Sequence, residues 1–172
     1  MTNKEFIVVL DFDGTVVKHR YPDVGDEIGA TPVLKRLVSN GHKIILNTMR
    51  SRNNEGMDML QPAVDWFSER GIPLFGVNEN PTQHEWTSSP KVYGHIYIDD
   101  AALGAPLVTD VDDKYIDWKM AAAHLYYAGL LSENDITELF GDKSYSDVTF
   151  IPFVLKVFLK ELQFLFIVHS RF

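Results

Sequence analysis

The chain has 172 residues, 45% of them hydrophobic and 23% charged, enough for one domain with a real core. A formal net charge of −8 argues against a nucleic-acid coat or a binder of anionic membrane, since neither surface is attracted overall. The absence of cysteine excludes a disulfide framework, a thiolate nucleophile and a cysteine zinc site; the N-terminus runs straight into a strand and does not resemble a signal peptide, so a cytoplasmic protein is expected.

Phe6-Ile7-Val8-Val9-Leu10 is a run of consecutive apolar residues, the mark of a strand buried on both faces. It leads into Asp11-Phe12-Asp13-Gly14-Thr15. Two carboxylates therefore stand two positions apart at a strand's carboxyl end, where open α/β sheets bind ligands. Carboxylates held so close persist together when a cation is nearby or when one carries a proton. Residues 16–30, with His19, Arg20, Pro22, Gly25 and Gly29, have no clean periodicity and are expected to form a short flap. Thr31-Pro32 reads as a helix start, with Val33, Leu34, Leu37 and Val38 at helical spacing and Gly41 as the stop. Ile44-Ile45-Leu46 is a second buried strand ending at Asn47-Thr48. A second helix is predicted over Met57 to Arg70, with Met59, Leu60, Val64 and Phe67 inward and Pro62 in its middle. Pro73 to Val77 is a third strand, Asn78 to Pro90 a polar loop, and His95 to Ile98 a fourth strand ending at Asp99-Asp100.

This alternation predicts an α/β fold with a doubly wound parallel sheet. Right-handed crossovers place the carboxyl ends of all four strands along one edge. That edge would gather Asp11, Asp13, Thr48, Asn78, Asp99 and Asp100. Further on, Ile116 to Ala128 is predicted as a helix stopped by Gly129, and Ser132 with Asp135 resembles a capping box for a short helix ending at Gly141. The expected organisation is a catalytic core over 1–110 and a helical C-terminal extension over 111–172, packed on the core or on a partner subunit. The tail from Phe150 to Val168 is apolar, with Lys156, Lys160 and Gln163 on one helical stripe. Its charges roughly cancel the gain from insertion into lipid. An amphipathic helix that packs, or joins copies into a homo-oligomer, is expected rather than a membrane span.

Hydrolysis of a phosphomonoester requires a nucleophile, an acid for the leaving oxygen and positive charge around the transferred group. The predicted rim supplies each by residue type. Asp11 can attack phosphorus and form an aspartyl-phosphate. Asp13 can protonate the leaving group and then deprotonate water. Mg²⁺ can be held by Asp11, the backbone carbonyl of Asp13 and an acid of the Asp99-Asp100 pair. Thr48 offers a hydroxyl to a phosphoryl oxygen, Lys91 a cation, and Arg50 a planar fork for phosphate or substrate. Plainer readings stand beside these. An Asp-X-Asp pair also occurs in sugar-nucleotide-binding transferases and in exposed turns. Thr48 and Asp99-Asp100 could be helix caps, Lys91 a solvated lysine and Arg50 a surface ion pair. His19 and Arg20 could gate or read substrate from the flap, and Asn78 and Asn80 could brace the rim. His84, His95 and His124 lack metal-ligand spacing and are expected to be structural.

Taken in order, Asp11-Phe12-Asp13-Gly14-Thr15, Thr48 after an apolar strand, Lys91, and Asp99-Asp100 after Ile96-Tyr97-Ile98 resemble the four motifs of the haloacid dehalogenase (HAD) superfamily of phosphohydrolases. The likeness covers residues 6 to about 108 and is to the small, nearly capless members. It implies a Rossmann-like core, Mg²⁺ as cofactor, Asp11 as nucleophile, Asp13 as acid/base, and Asp100 rather than Asp99 as the second metal carboxylate. It also places Gly14 and Thr15 with Thr48, Arg50 and Lys91 against the substrate. Ala101-Ala102 stands where many relatives carry a basic residue. The Thr48-X-Arg50 pattern resembles one in polynucleotide phosphatases, so a nucleotide or other small phosphorylated metabolite is the expected substrate. A nucleic-acid end would fit an open site, but the net charge counsels against long DNA. A phospho-receiver module would need an aspartate after the third strand, where Val77-Asn78 stands. The alternative to an enzyme is a catalytically silent scaffold that binds partners through its apolar tail.

Overall fold

The computed structural model describes residues 4–109 and 112–141; the helix expected over 150–168, and any oligomer contact on it, lie outside the described residues. The strands are β1 (Ile7–Leu10), β2 (Lys43–Leu46), β3 (Gly76–Val77), β4 (Ile96–Ile98), β5 (Leu107–Val108) and β6 (Tyr115–Ile116). The helices are α1 (Ala30–Ser39), α2 (Gln61–Glu69), α3 (Trp118–Tyr127) and α4 (Glu133–Phe140). β1 to β4 form one sheet in the order β3-β2-β1-β4. Every pairing in it is parallel, with Val8 opposite both Ile44 and Ile96. All four carboxyl ends therefore share one edge, and the order reverses at β1, between the β2–β3 side and β4. In such sheets the ligand crevice lies outside the strand ends at that reversal. Here it falls between the strands that deliver Asp11 and Asp99-Asp100.

β1 is buried along its whole length because both faces of the sheet are covered. Val8 and Leu10 join the main core with Leu34 and Phe67, while Ile7 and Val9 pack with Ile45, Val92 and Phe75 on the other face. Each such aliphatic side chain contributes about 1.5–3 kcal/mol by leaving water.

Helix boundaries differ from the sequence reading for identifiable reasons. α1 starts at Ala30, and its N-cap is Gly29 at φ +97°, not Thr31. The Glu27 carboxylate accepts from the Gly29 N–H at 2.9 Å and the Thr31 N–H at 2.7 Å, doing the work expected of the Thr31 hydroxyl. α2 begins four residues later than expected, so Pro62 sits in its first turn, where the missing N–H is no loss. Before it, Asp58 accepts from the Leu60 and Gln61 N–H groups, and Met57 is exposed. Only two residues of the predicted third strand pair.

Residues 112–140, expected in an extension packed on the core or on a partner subunit, contribute to the core itself. Trp118, Ala122, Leu125, Leu130, Leu131 and Ile136 belong to the same core as β1, and the compact unit runs Met1–Phe140. β5 pairs antiparallel with β6, Leu107 opposite Ile116, so Tyr115 and Ile116 are strand where the start of a helix was expected. α3 is capped by Asp117, whose carboxylate accepts from the Lys119 and Met120 N–H groups. Among the described residues no helix is long and apolar enough to cross a membrane.

The capping box of α4 is present: Asp135 Oδ2 accepts from the Ser132 N–H at 2.7 Å, and Ser132 Oγ accepts from the Asp135 N–H at 3.1 Å. Asp135 also takes Arg36 Nη1 and Asn40 Nδ2, each at 3.0 Å, tying α4 to the end of α1. Burial alone would raise the Asp135 carboxyl, but the Ser132, Asn40 and Arg36 donors outweigh it and hold it below the usual range. Its stabilising contribution is thus present above the unfolded value and lost as pH falls through the lower folded one. Asp135→Ala should destabilise the protein by about 1–3 kcal/mol, since it removes a cap and one bond each from Arg36 and Asn40, which keep Glu138 and the Leu130 carbonyl. Urea unfolding at neutral pH measures this, and the gap between variant and wild type should narrow in acid.

Candidate functional site

The loop after β1 is built by its own backbone. The Phe12 carbonyl accepts from the N–H groups of Thr15, Val16 and Val17, folding the chain back on itself. The Phe12 ring is buried against Trp66 and Phe67, with centroids 6.0 and 6.1 Å away. The Asp11 N–H donates to the Ile98 carbonyl at 3.0 Å, carrying the β1–β4 ladder one step past the strands. Asp11 is thereby set beside Asp99 and Asp100, and one ligand oxygen from each of the three lies within 4.8 Å of the others.

Thr15, fully buried, stands beneath this cluster. Its hydroxyl oxygen accepts from the Asp100 N–H at 3.0 Å and lies 3.3 Å from Asp11 Oδ2 and 3.4 Å from Asp100 Oδ1. Gly14, at φ +76°, is equally enclosed: a Cβ there would lie 2.3 Å from His19 Nε2 and 2.6 Å from Asp100 Oδ2. Gly14 and Thr15, expected against the substrate, are enclosed here and shape the cluster from below. The loop is fastened from the other side as well. Trp118 Nε1 donates to the Thr15 carbonyl at 2.7 Å, and the Ile116 N–H donates to the Gly14 carbonyl at 2.8 Å. These two supports were not foreseen. The one sequence signal for them is a tryptophan directly after the Asp117 cap, since a buried indole N–H requires an acceptor.

Burial pushes the Asp11 carboxyl up to about 6; the Asp99 and Asp100 charges add to this, and the Phe12 N–H and Thr15 hydroxyl partly offset it. His19, on the flap, brings Nε2 to 3.1 Å from Asp100 Oδ2. Three carboxylates crowded at the end of two strands are a donor set that fits a hard divalent cation with oxygen ligands. The Asp13 carbonyl oxygen accepts no hydrogen bond among the described residues, so it is open to the same use.

The Asp13 side chain turns away from the cluster to Arg50. Arg50 Nε and Nη2 donate to its two oxygens at 2.7 Å each. Arg50 also donates through Nη1 to the Pro22 carbonyl at 3.0 Å and through Nη2 to the Asp23 carbonyl at 2.7 Å. The guanidinium is 2% exposed and lies between the Phe12 and Tyr21 rings, 5.2 and 5.3 Å from their centroids. Arg50, read from the sequence as a fork for phosphate or substrate, makes its four side-chain bonds inside the protein, to Asp13 and the flap.

Thr48 ends β2 at the same edge, with its N–H on Asn78 Oδ1 at 2.8 Å and its Oγ accepting from the Arg50 N–H at 3.2 Å. Asn78, at φ +54°, therefore braces the rim, whereas Asn80 is buried and holds the following loop through Thr82 and the Tyr93 carbonyl. Lys91 is on that loop. Gln83 Nε2 holds its carbonyl at 2.8 Å, and its ammonium lies 5.6 Å from the Tyr97 ring centroid. The structure forms no hydrogen bond or ion pair between Lys91 and Asp11, Asp99 or Asp100. His95 is structural as expected: Nδ1 accepts from the Ile7 N–H at 2.9 Å.

No protein-family model and no curated protein matches the chain. Among solved structures, one described as a conserved protein coded by a locus from Bacteroides thetaiotaomicron is similar, at 27% identity and a TM-score of 0.57. The alignment covers 77% of this chain and 98% of that one.

Proposed function

We propose that the protein is a Mg²⁺-dependent phosphomonoester hydrolase of the HAD type, working through an aspartyl-phosphate on Asp11. The observation that carries this reading is the convergence of Asp11, Asp99 and Asp100 at the β1–β4 strand ends, with Asp13 two residues from the nucleophile. The doubly wound HAD core is part of the same proposal, supported by a parallel order that reverses at β1. Mg²⁺, held by Asp11, the Asp13 carbonyl and Asp100 or Asp99, would supply positive charge that offsets the gathered carboxylates and the phosphate.

The residues then act in two steps. An Asp11 carboxylate oxygen bonds to phosphorus while the ester P–O bond breaks; the electron pair leaves with the ester oxygen, which takes a proton from Asp13. Water next attacks phosphorus and gives its proton to Asp13, the acyl-phosphate P–O bond breaks, and Asp11 is regenerated with inorganic phosphate released. Thr48, at the same rim, donates its hydroxyl to a phosphoryl oxygen. The substrate class proposed is a small phosphorylated metabolite, a nucleotide among them.

The test is phosphate release from p-nitrophenyl phosphate and a panel of phosphorylated metabolites, nucleotides and oligonucleotide ends. Activity with Mg²⁺ that disappears on chelation is expected; activity unchanged by chelation would overturn the metal-dependent reading. Binding gives a second readout. A raised Asp11 pKa means that proton and cation compete for it near pH 6. Mg²⁺ should therefore raise the melting temperature more at pH 7.5 than at pH 5, and a shift independent of pH would separate the cation site from Asp11.

A further inference from the structure

From the placement of Arg50 we infer that it is a positioning residue for the Asp13 acid/base, holding Asp13 in register with the flap; this rests on the phosphohydrolase reading above. The geometry is specific. A guanidinium fork meets both Asp13 oxygens, so it fixes the plane of the carboxyl group as well as its position. The same guanidinium accepts no freedom from the flap, because the Pro22 and Asp23 carbonyls hold its Nη1 and Nη2. Its faces are closed by Phe12 and Tyr21. Asp13 is thus gripped by a side chain from the β2 end that is itself locked by residues 21–23. A surface salt bridge has none of these restraints.

The chemistry gives this grip a purpose. In the first step Asp13 must place its proton on the departing oxygen as the P–O bond breaks, and a carboxyl group free to rotate does this poorly. Each oxygen of Asp13 keeps a second lone pair beyond the one facing Arg50, and the carboxyl remains 16% exposed, so a proton can be carried on its open side. The bonds of the Arg50 guanidinium go to Asp13, Pro22 and Asp23 and not to Asp11, Asp99 or Asp100; it acts through Asp13.

The demand for that proton depends on the leaving group, and this separates positioning from a merely structural role. Phenyl phosphate and 2,4-dinitrophenyl phosphate share the aryl phosphomonoester linkage, but only the first needs its oxygen protonated as it leaves. We compare kcat/KM, which reports the steps through the first departure, for wild type, Arg50→Lys and Arg50→Ala with Mg²⁺ present. Both variants are expected to lose about 100-fold or more on phenyl phosphate and less than about tenfold on the dinitro ester. Millimolar guanidinium should restore the phenyl phosphate reaction of Arg50→Ala. If Arg50→Ala does not fold, Arg50→Lys carries the test, since it keeps the charge and loses the fork. Equal losses on the two esters would overturn the positioning role and leave the hydrolase reading intact. Wild type inert toward both esters would bring down the hydrolase reading itself, and this inference with it.

Discussion

Asp11→Asn should leave a folded protein whose phosphatase activity falls by about 10³-fold or more, the loss of at least about 4 kcal/mol of barrier lowering. The amide cannot attack phosphorus, and no neighbour replaces it: Asp99 and Asp100 share the cluster but belong to β4, and Asp13 is engaged by Arg50. The same substitution should raise the melting temperature of the metal-free protein at neutral pH. Burial and two adjacent charges push the Asp11 carboxyl up to about 6, so at pH 7.5 the folded state holds an ionised group that it disfavours. A group whose folded value is raised stabilises below its unfolded value and loses that contribution as pH rises through the folded one. A neutral isostere removes the penalty. An inactive variant that melts higher is thus the expected pair of results, measured by p-nitrophenyl phosphate turnover and calorimetry. Retained turnover would exclude Asp11 as nucleophile.

Gly14→Ala is the second large effect. A Cβ at φ +76° is strained in itself, and it would stand 2.6 Å from Asp100 Oδ2 and 2.7 Å from Asp100 Cγ. The loop cannot yield easily, because Ile116 and Trp118 hold the carbonyls of Gly14 and Thr15. The Asp100 carboxylate must move instead, out of reach of Asp11. We expect a stability loss of about 2–4 kcal/mol, abolition of the Mg²⁺-induced rise in melting temperature, and activity lowered about 100-fold or more. Removing His19 in the same chain should not restore cation binding, since the Asp100 contacts persist. A Gly14→Ala protein that binds Mg²⁺ normally would show that Asp100 is not a ligand.

The parallel sheet was readable because β1, β2 and β4 are short apolar runs, each closed by polar chemistry at its carboxyl end. β5 and β6 were not, since two-residue strands carry no period for a pattern to expose. Asp11 and Asp100 could be placed on one rim from topology alone. The partners of Arg50 could not, because they depend on how an aperiodic flap folds: two of its four bonds go to backbone carbonyls, which any residue type could supply. The setting of Lys91 was hidden for a related reason. Gln83 bonds to the Ser89 and Lys91 carbonyls and to the Tyr93 N–H, and that single amide sets the path of the loop. Nothing in the local sequence around Lys91 announces it. Thr31 is a case of two valid signals in competition, in which the left-handed glycine two residues earlier moved the helix start.

The indole of Trp118 and the amide of Ile116 have a bearing on how the protein can be shortened. A gene cut after Val108 would still encode every acidic residue of the rim, and by motif alone would pass for a complete catalytic piece. Its product would have lost both props under the loop after β1 and the partner of β5, and would expose to water the apolar surface of α1 that α3 and α4 cover. The smallest stretch worth expressing therefore reaches Phe140, and homologous chains that end sooner must find another way to steady the same turn.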